Sequence, residues 1–237
     1  MLHIITPVKD SIPSTLQTLR ALAGSDIPEE HRFTVYNDFS TPENTQRLLE
    51  ETETLGMELV NLADLTEHPS PNYLFVLRRE QRLCLEEGAD LLIVESDVTV
   101  RPDTLRRLTE AARQRPDCGI AAAVTVDEAG GINYPYLYAR GNEAEGVLDT
   151  RKHLSFCCTL LTRRLLHSFD FALLDDSKNW FDVTISHASL EAGLHNYLLT
   201  SLPVLHRPHQ SRPWKQLKYE NPLKYYWLKL TKGLDKI

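Results

Sequence analysis

The stretch Ala89-Asp90-Leu91-Leu92-Ile93-Val94-Glu95-Ser96-Asp97-Val98-Thr99-Val100 decides how the chain is read. Leu91 to Val94 are continuously apolar, the pattern of a strand buried on both faces in the middle of a parallel sheet. The run ends on two acids. In open α/β sheets ligands gather beyond the carboxyl ends of the strands, so Glu95 and Asp97 stand where a ligand would stand. Spaced i and i+2, their carboxylates can lean to one side and offer oxygens to a hard cation, Mg²⁺ or Mn²⁺.

Upstream, strand and helix alternate. Leu2 to Ile5 reads as a short strand broken at Thr6-Pro7, and Ser11-Ile12-Pro13 opens a helix with Leu16, Leu19 and Leu22 on one face. Phe33 to Tyr36 is a second strand. Thr41 then caps a helix whose first position suits Pro42. Glu58 to Leu62 is a third strand, and a helix over about Asn72 to Glu87 turns Leu74, Leu77 and Leu85 inward and stops at Gly88. This rhythm predicts a parallel sheet with helices on both faces. Downstream, Pro102-Asp103 opens a helix bearing Leu105, Leu108 and Ala112. Ile120 to Val126 is strand-like, Gly130-Gly131 is a turn, and Tyr134 to Thr150 reads as irregular or antiparallel. Ser155 to Leu161 is a further strand, Arg163 begins a short helix, Trp180-Phe181-Asp182 leads into another, and Asn196 to His206 is extended.

The 237 residues, 42% of them hydrophobic, can bury an ample core. A net charge of -7 argues against a nucleic-acid binder. The four cysteines, Cys84, Cys118, Cys157 and Cys158, lack C-x-x-C spacing, and Cys157-Cys158 lies in an apolar run that reads as buried strand rather than zinc site. A reducing cytosol fits, and no signal peptide or membrane span is indicated. Residues 212–237 carry net +5 against -12 for the remainder, and place Tyr225, Tyr226, Trp227, Leu228 and Leu230 among lysines. Such a tail suits an interfacial helix on an anionic membrane, or a helix that packs its aromatics and solvates its lysines.

Five motifs in order over the first 206 residues resemble the inverting family-2 glycosyltransferases of the GT-A fold. Ile4-Ile5-Thr6-Pro7-Val8-Lys9-Asp10 looks like the opening strand that frames the nucleotide base, which implies donor contacts from Thr6, Pro7, Val8 and Asp10. Val35-Tyr36-Asn37-Asp38-Phe39-Ser40-Thr41 is similar to the family's base-binding stretch, with Asp38 as its second aspartate and Asn37 in place of the first. Gln81 stands where the family usually has Asn, and Arg78 or Arg79 near its basic residue beside the nucleotide. Glu95-Ser96-Asp97 occupies the D-x-D position. That implies Asp97 as metal ligand, Glu95 as a ligand directly or through water, and Ser96 beside the donor. Phe181-Asp182 overlays the glutamate-aspartate motif and makes Asp182 the general base. Val204-Leu205-His206 matches a valine-x-histidine whose histidine completes the metal or diphosphate site.

The resemblance implies an α/β fold of GT-A type, a mostly parallel Rossmann-like sheet with a smaller antiparallel acceptor side. It divides residues 1–211 into a nucleotide-binding half (1–100) and an acceptor-binding half (101–211), followed by the basic tail 212–237. It further implies a Mn²⁺- or Mg²⁺-dependent transfer from a nucleoside-diphosphate sugar, UDP-sugars favoured, to a hydroxyl of a glycan or lipid-linked acceptor. The setting it suggests is bacterial surface-polysaccharide synthesis in the cytoplasm, at the inner face of the membrane if the tail binds there. Two other readings compete. A nucleotidyltransferase should carry a glycine-rich loop after the first strand, which Thr6 to Ser11 lacks. A non-catalytic homologue that binds nucleotide sugar or acts as a scaffold would explain Asn37, Gln81, Glu95 and Phe181.

Overall fold

The apolar run at Leu91 to Val94 lies in the interior of a nine-stranded sheet, all four residues fully buried. The computed structural model describes residues 1–27, 30–177, 180–207 and 221–232. The chain divides into two units, Met1–Arg207 and Pro208–Ile237. The first contains, in order, β1 (Leu2–Val8), α1 (Ile12–Ala23), β2 (His31–Asn37), α2 (Pro42–Leu55), β3 (Glu58–Asn61), α3 (Tyr73–Glu87), β4 (Asp90–Val94) and β5 (Val98–Thr99). Then come α4 (Thr104–Arg113), β6 (Cys118–Val126), β7 (Leu148–Asp149), β8 (Cys158–Leu161), α5 (Arg163–Ser168), α6 (Phe181–Glu191) and β9 (His195–His206). The second unit holds α7 (Pro222–Lys232).

The strand order is β3-β2-β1-β4-β8-β6-β9-β5, with β7 on β9. From β3 to β4 every pairing is parallel, as the βα rhythm predicts. Beyond β4 the sheet turns mixed: β8 is antiparallel to β4 and β6, β9 is parallel to β6, and β5 and β7 are antiparallel to β9. Side chains alternate across the sheet, so Leu91 and Ile93 join the core on one face while Leu92 and Val94 join the core on the other.

Two local expectations need correction. β1 does not break at Thr6-Pro7 but runs on to Val8. The β4 ladder on β1 has ended at Ile5, so the missing N–H of Pro7 costs no bond on that side. The helix α1 starts at Ile12 as expected, with Ser11 before it at φ 47°, in the left-handed region. On α3 the buried face carries Glu80 and Gln81 beside Val76, Leu77 and Cys84, while Leu74 and Leu85 are only half-buried. By contrast Thr41 caps α2 by accepting the Asn44 N–H, and Gly88 ends α3 at φ 66°.

Candidate active site

The acids after β4 sit in a tight turn rather than an extended strand end, for the Val98 N–H donates to the Glu95 carbonyl at 3.1 Å. Two neighbouring strands then furnish this turn with side chains. The antiparallel β4–β8 ladder pairs Val94 with Cys158, and the Glu95 N–H donates to the Cys157 carbonyl at 2.9 Å. Glu95 and Cys157 are therefore cross-strand neighbours, and the Cys157 thiol donates to Glu95 Oε2 at 3.3 Å. On the other side β5 pairs with the end of β9, His206 opposite Val98, and the Arg207 N–H donates to the Asp97 carbonyl at 3.0 Å. That register brings His206 Nε2 to 3.6 Å from Asp97 Oδ2, with both side chains buried.

The electrostatics follow from this crowding. Burial, then the charge of Asp97, pushes the Glu95 carboxyl up to about 7, although His206 and the Cys157 thiol pull the other way. Burial opposes the charged form of His206, but Asp97 and Glu95 outweigh it and raise its pKa. The Nδ1–H of His206 donates to the Tyr134 carbonyl at 2.8 Å, which leaves Nε2 facing the acids. One ligand atom from each of Glu95, Cys157 and His206 lies within 4.8 Å of the others, and with Asp97 adjoining, this donor set fits a divalent cation.

Asp182 lies in the first turn of α6, close enough for its charge to act on Glu95. Tyr73 is near enough to feel both charges, and its ring lies 6.4 Å from those of Phe156 and Phe181. The Tyr73 hydroxyl is buried and meets no hydrogen-bond partner among the described residues. Burial, then the charges of Glu95 and Asp182, holds it well above the usual phenol range. The helix α6 reaches this position because it packs close on the sheet, with Gly119 of β6 leaving room for Ser189 and Leu194. It is pinned by the Ser186 carbonyl accepting from Asn196 at 2.9 Å and by Ser186 Oγ accepting from the Leu154 N–H at 3.0 Å.

Of the remaining sequence-predicted residues, those from Thr6 to Asp10 and Asn37 and Asp38 stand at the carboxyl ends of β1 and β2, whereas Arg78, Arg79 and Gln81 lie on α3, and most of them hold the chain itself. Thr6, Pro7 and Val8 end β1, with Thr6 and Val8 buried. Asp10 accepts from the Thr41 N–H and the Asn44 amide, each at 2.9 Å, and its carboxyl is lowered by Asn44 first and Thr41 second. Asn37 is buried between Thr45 and Asn61. Asp38 ties the end of β2 to the start of α3, accepting from Ser70 Oγ and from both the backbone and side-chain nitrogens of Asn72. Arg78 donates to the carbonyls of Phe171, Ala172 and Leu174. Gln81 donates to Leu166 and Phe169 and accepts from Phe171, so its amide is fully used. Arg79 reaches the Tyr36 hydroxyl at 3.2 Å, and Ser96 is buried in the acid turn. Three non-glycine residues with positive φ, Asp10, Ser11 and Phe39, stand at the tips of β1 and β2. Such strain gathers where loops must take one fixed shape.

Solved structures similar in fold to this chain include fragments of S. aureus TarS and a mannosyltransferase. Residues 1–349 of S. aureus TarS superpose with a TM-score of 0.63 at 16% identity, covering 86% of this chain and 60% of that one. The mannosyltransferase PcManGT from Pyrobaculum calidifontis, in complex with GDP-Man and Mn²⁺, gives 0.64 at 16% identity, covering 97% and 64%. The same TarS fragment in complex with UDP-GlcNAc gives 0.56 at 16%, covering 88% and 59%. At these identities the likeness is one of fold. The chain spans about 60% of the length of the first-named structures. No protein-family model and no curated protein matches it by sequence.

Two residues beside the acid turn, Cys157 and Tyr73, were not legible in the sequence. Cys157 is buried, as its apolar run predicts, but it lies in the turn just ahead of β8 rather than in a strand beginning at Ser155, and its thiol faces Glu95. The signal was present as a pairing: a strand antiparallel to β4 must set some residue opposite Glu95. Residues 212–220 and 233–237 of the basic tail lie outside the described residues. In α7, Leu223, Tyr226, Trp227 and Leu230 are exposed and Tyr225 is buried. No helix among the described residues is long and apolar enough to cross a membrane.

Proposed function

We propose that the chain is a metal-dependent, inverting glycosyltransferase acting on a nucleoside-diphosphate sugar, UDP-sugars favoured, with a hydroxyl of a glycan or lipid-linked molecule as acceptor. The observation that carries the reading is the convergence of Glu95, Asp97 and His206 at the carboxyl end of β4, with Asp182 near enough to act on Glu95. Ligands gather at that edge in α/β sheets of this kind. A divalent cation held by Asp97, Glu95 and His206 would act as a Lewis acid toward the departing diphosphate. The tips of β1 and β2, with Thr6, Pro7, Val8 and Asp38, form the nucleotide end of the site. Asp10 and Asn37 shape that end, while Arg78 and Gln81 brace the segment before α6. Arg79 is the arginine left to face the donor. Asp182 takes the acceptor proton at its carboxylate as the new bond forms, and attack from its side inverts the anomeric centre.

Calorimetric titration with UDP, GDP and dTDP, each with and without Mn²⁺, tests this on the wild type and Asp97→Ala. The expected result is metal-dependent binding of one diphosphate, lost in the variant. Absence of binding by all three favours the non-catalytic reading, which the structural commitments of Asn37, Arg78 and Gln81 suit.

The tail bears on the acceptor. Leu223, Tyr226, Trp227 and Leu230 follow i, i+3, i+4, i+7 spacing, and Lys224 and Lys229 flank the stripe they form. Such an exposed stripe between lysines is the pattern of a helix lying in an anionic membrane surface, where a lipid-linked acceptor would be met. Wild type should sediment with vesicles containing anionic lipid and not with neutral ones. Equal sedimentation of a Trp227→Gln/Leu230→Gln variant would remove α7 from the role.

A further inference from the structure

We propose that Cys157 is itself a ligand of the cation at the Glu95 site, so that the site prefers a thiophilic divalent ion (Co²⁺, Zn²⁺ or Cd²⁺) to Mg²⁺. The inference rests on the reading above only in that both put a cation beside Glu95. It does not depend on which nucleotide or sugar is bound.

The geometry supplies three of the four corners a tetrahedral ion needs. Cys157 Sγ stands 3.3 Å from Glu95 Oε2, and its other polar neighbour is Ser155 Oγ at 3.5 Å. Donor atoms of Glu95, Cys157 and His206 all lie within 4.8 Å of one another. About an ion with bonds of ~2.0 Å to nitrogen or oxygen and ~2.3 Å to sulfur, the edges of a tetrahedron are about 3.3–3.6 Å, so small side-chain rotations close the set. His206 is aimed for the purpose, its Nδ1–H held by the Tyr134 carbonyl and its Nε2 turned inward. Ligating histidines are commonly oriented in this way. Asp97 Oδ2, 3.6 Å from that Nε2, adjoins the same space.

The chemistry then fixes the preference. Mg²⁺ demands oxygen ligands in near-octahedral array, whereas a set of one thiolate, one imidazole and carboxylate suits softer ions. On binding, the Sγ–H bond breaks, the metal–sulfur bond forms and the proton leaves to solvent. Burial, then Glu95, holds the thiol well above its ordinary pKa, so the ion must displace that proton itself.

A second mixed cluster serves as an internal control. His3, Glu80 and Cys84 also lie within 4.8 Å of one another. There both imidazole nitrogens already face carboxylates, Glu80 at 3.0 Å and Glu87 at 2.8 Å, and the Arg32 guanidinium lies against the ring. That site is already supplied with positive charge.

The test is titration of the metal-free protein with Co²⁺ in the absence of nucleotide, read by sulfur-to-metal charge-transfer absorption in the near ultraviolet. The band should appear in wild type, vanish in Cys157→Ser and persist in Cys84→Ser. Calorimetric affinity for Cd²⁺ should fall about tenfold or more in Cys157→Ser while that for Mg²⁺ stays within about twofold. X-ray absorption at the cobalt edge of the wild-type protein needs no substitution and should find a sulfur scatterer at ~2.3 Å. Cobalt bound by nitrogen and oxygen alone, or no cobalt bound, overturns the proposal. Sulfur ligation without binding of any nucleoside diphosphate would sustain it while sinking the transferase reading.

Discussion

Asp182 draws its proposed role from its place in the first turn of α6, where a carboxylate is also favoured by the helix dipole. Asp182→Asn keeps that geometry and removes the basicity, so kcat should drop by about 10²- to 10⁴-fold with KM nearly unchanged. Near-normal turnover in a steady-state assay would take the proton to another group. A different residue, His3, contributes to the pH response of stability. Its ring lies on β1 between Glu80 and Glu87 of α3, with Arg32 beside it, while Tyr36, itself bonded to Arg79, donates to Glu80 and Cys84 lies alongside. Burial works against the imidazolium, but the bonds to Glu80 and Glu87 prevail and raise the His3 pKa from 6.5. A raised pKa contributes stability that is whole below the unfolded value and lost as pH rises through the folded one. Glu87, lowered mainly by its bond to His3, contributes in the opposite sense and loses its share in acid. Wild type should therefore lose melting temperature as pH rises above 6.5, and His3→Gln should flatten that slope while lowering stability at pH 6.5. Parallel melting curves for the two proteins across that range would remove His3 from the pH response.

At the scale of elements, the position of α6 is set by a single missing methyl. A Cβ at Gly119 would run into Ser189 Oγ and Leu194, so Gly119→Ala must push α6 from β6 or force both side chains aside. We expect a loss of about 1–3 kcal/mol in denaturant unfolding. Turnover should fall as well, while metal binding, which uses β4, β8 and β9 but not α6, stays intact. Loss of metal affinity along with turnover would mean that the two halves of the site are not separately supported. This separation also explains what could be read from the chain. The parallel half, β1 to β4, was legible because each strand is followed by its own helix, and caps such as Thr41 and Gly88 announce where elements begin and end. The acids after β4 were legible because a buried run must end somewhere, and it ended on Glu95 and Asp97. Long-range partners were not legible. Nothing in the local pattern says that β8 runs antiparallel beside β4 and thereby sets Cys157 against Glu95, or that Gln81 and Arg78 spend themselves on backbone carbonyls around Phe169 and Phe171. Those pairings belong to the register of strands and segments distant in sequence.

At the scale of the whole first unit, one sheet separates two cores and couples them. Tyr36, Leu77, Leu91, Ile93, Tyr136 and Phe171 pack on one face, while Ile4, Leu19, Leu92, Val94, Leu105 and Leu199 pack on the other. Each strand of the centre feeds both, because its side chains alternate, so neither core can be loosened without disturbing the strand that carries the acid turn. Leu92→Ala tests this coupling. Leu92 is fully buried on the face away from His3, and its truncation should cost about 2–5 kcal/mol. For a chain of this size each kcal/mol lowers the melting point by about 2–4 °C. If the faces are coupled through β4, calorimetry should show the main transition moved as a single peak. Tyrosine fluorescence, which includes Tyr36 and Tyr136 of the opposite face, should follow it at the same temperature. Two separated transitions, with the opposite face melting at its original temperature, would mean that the faces fold independently and that β4 does not bind them into one cooperative unit.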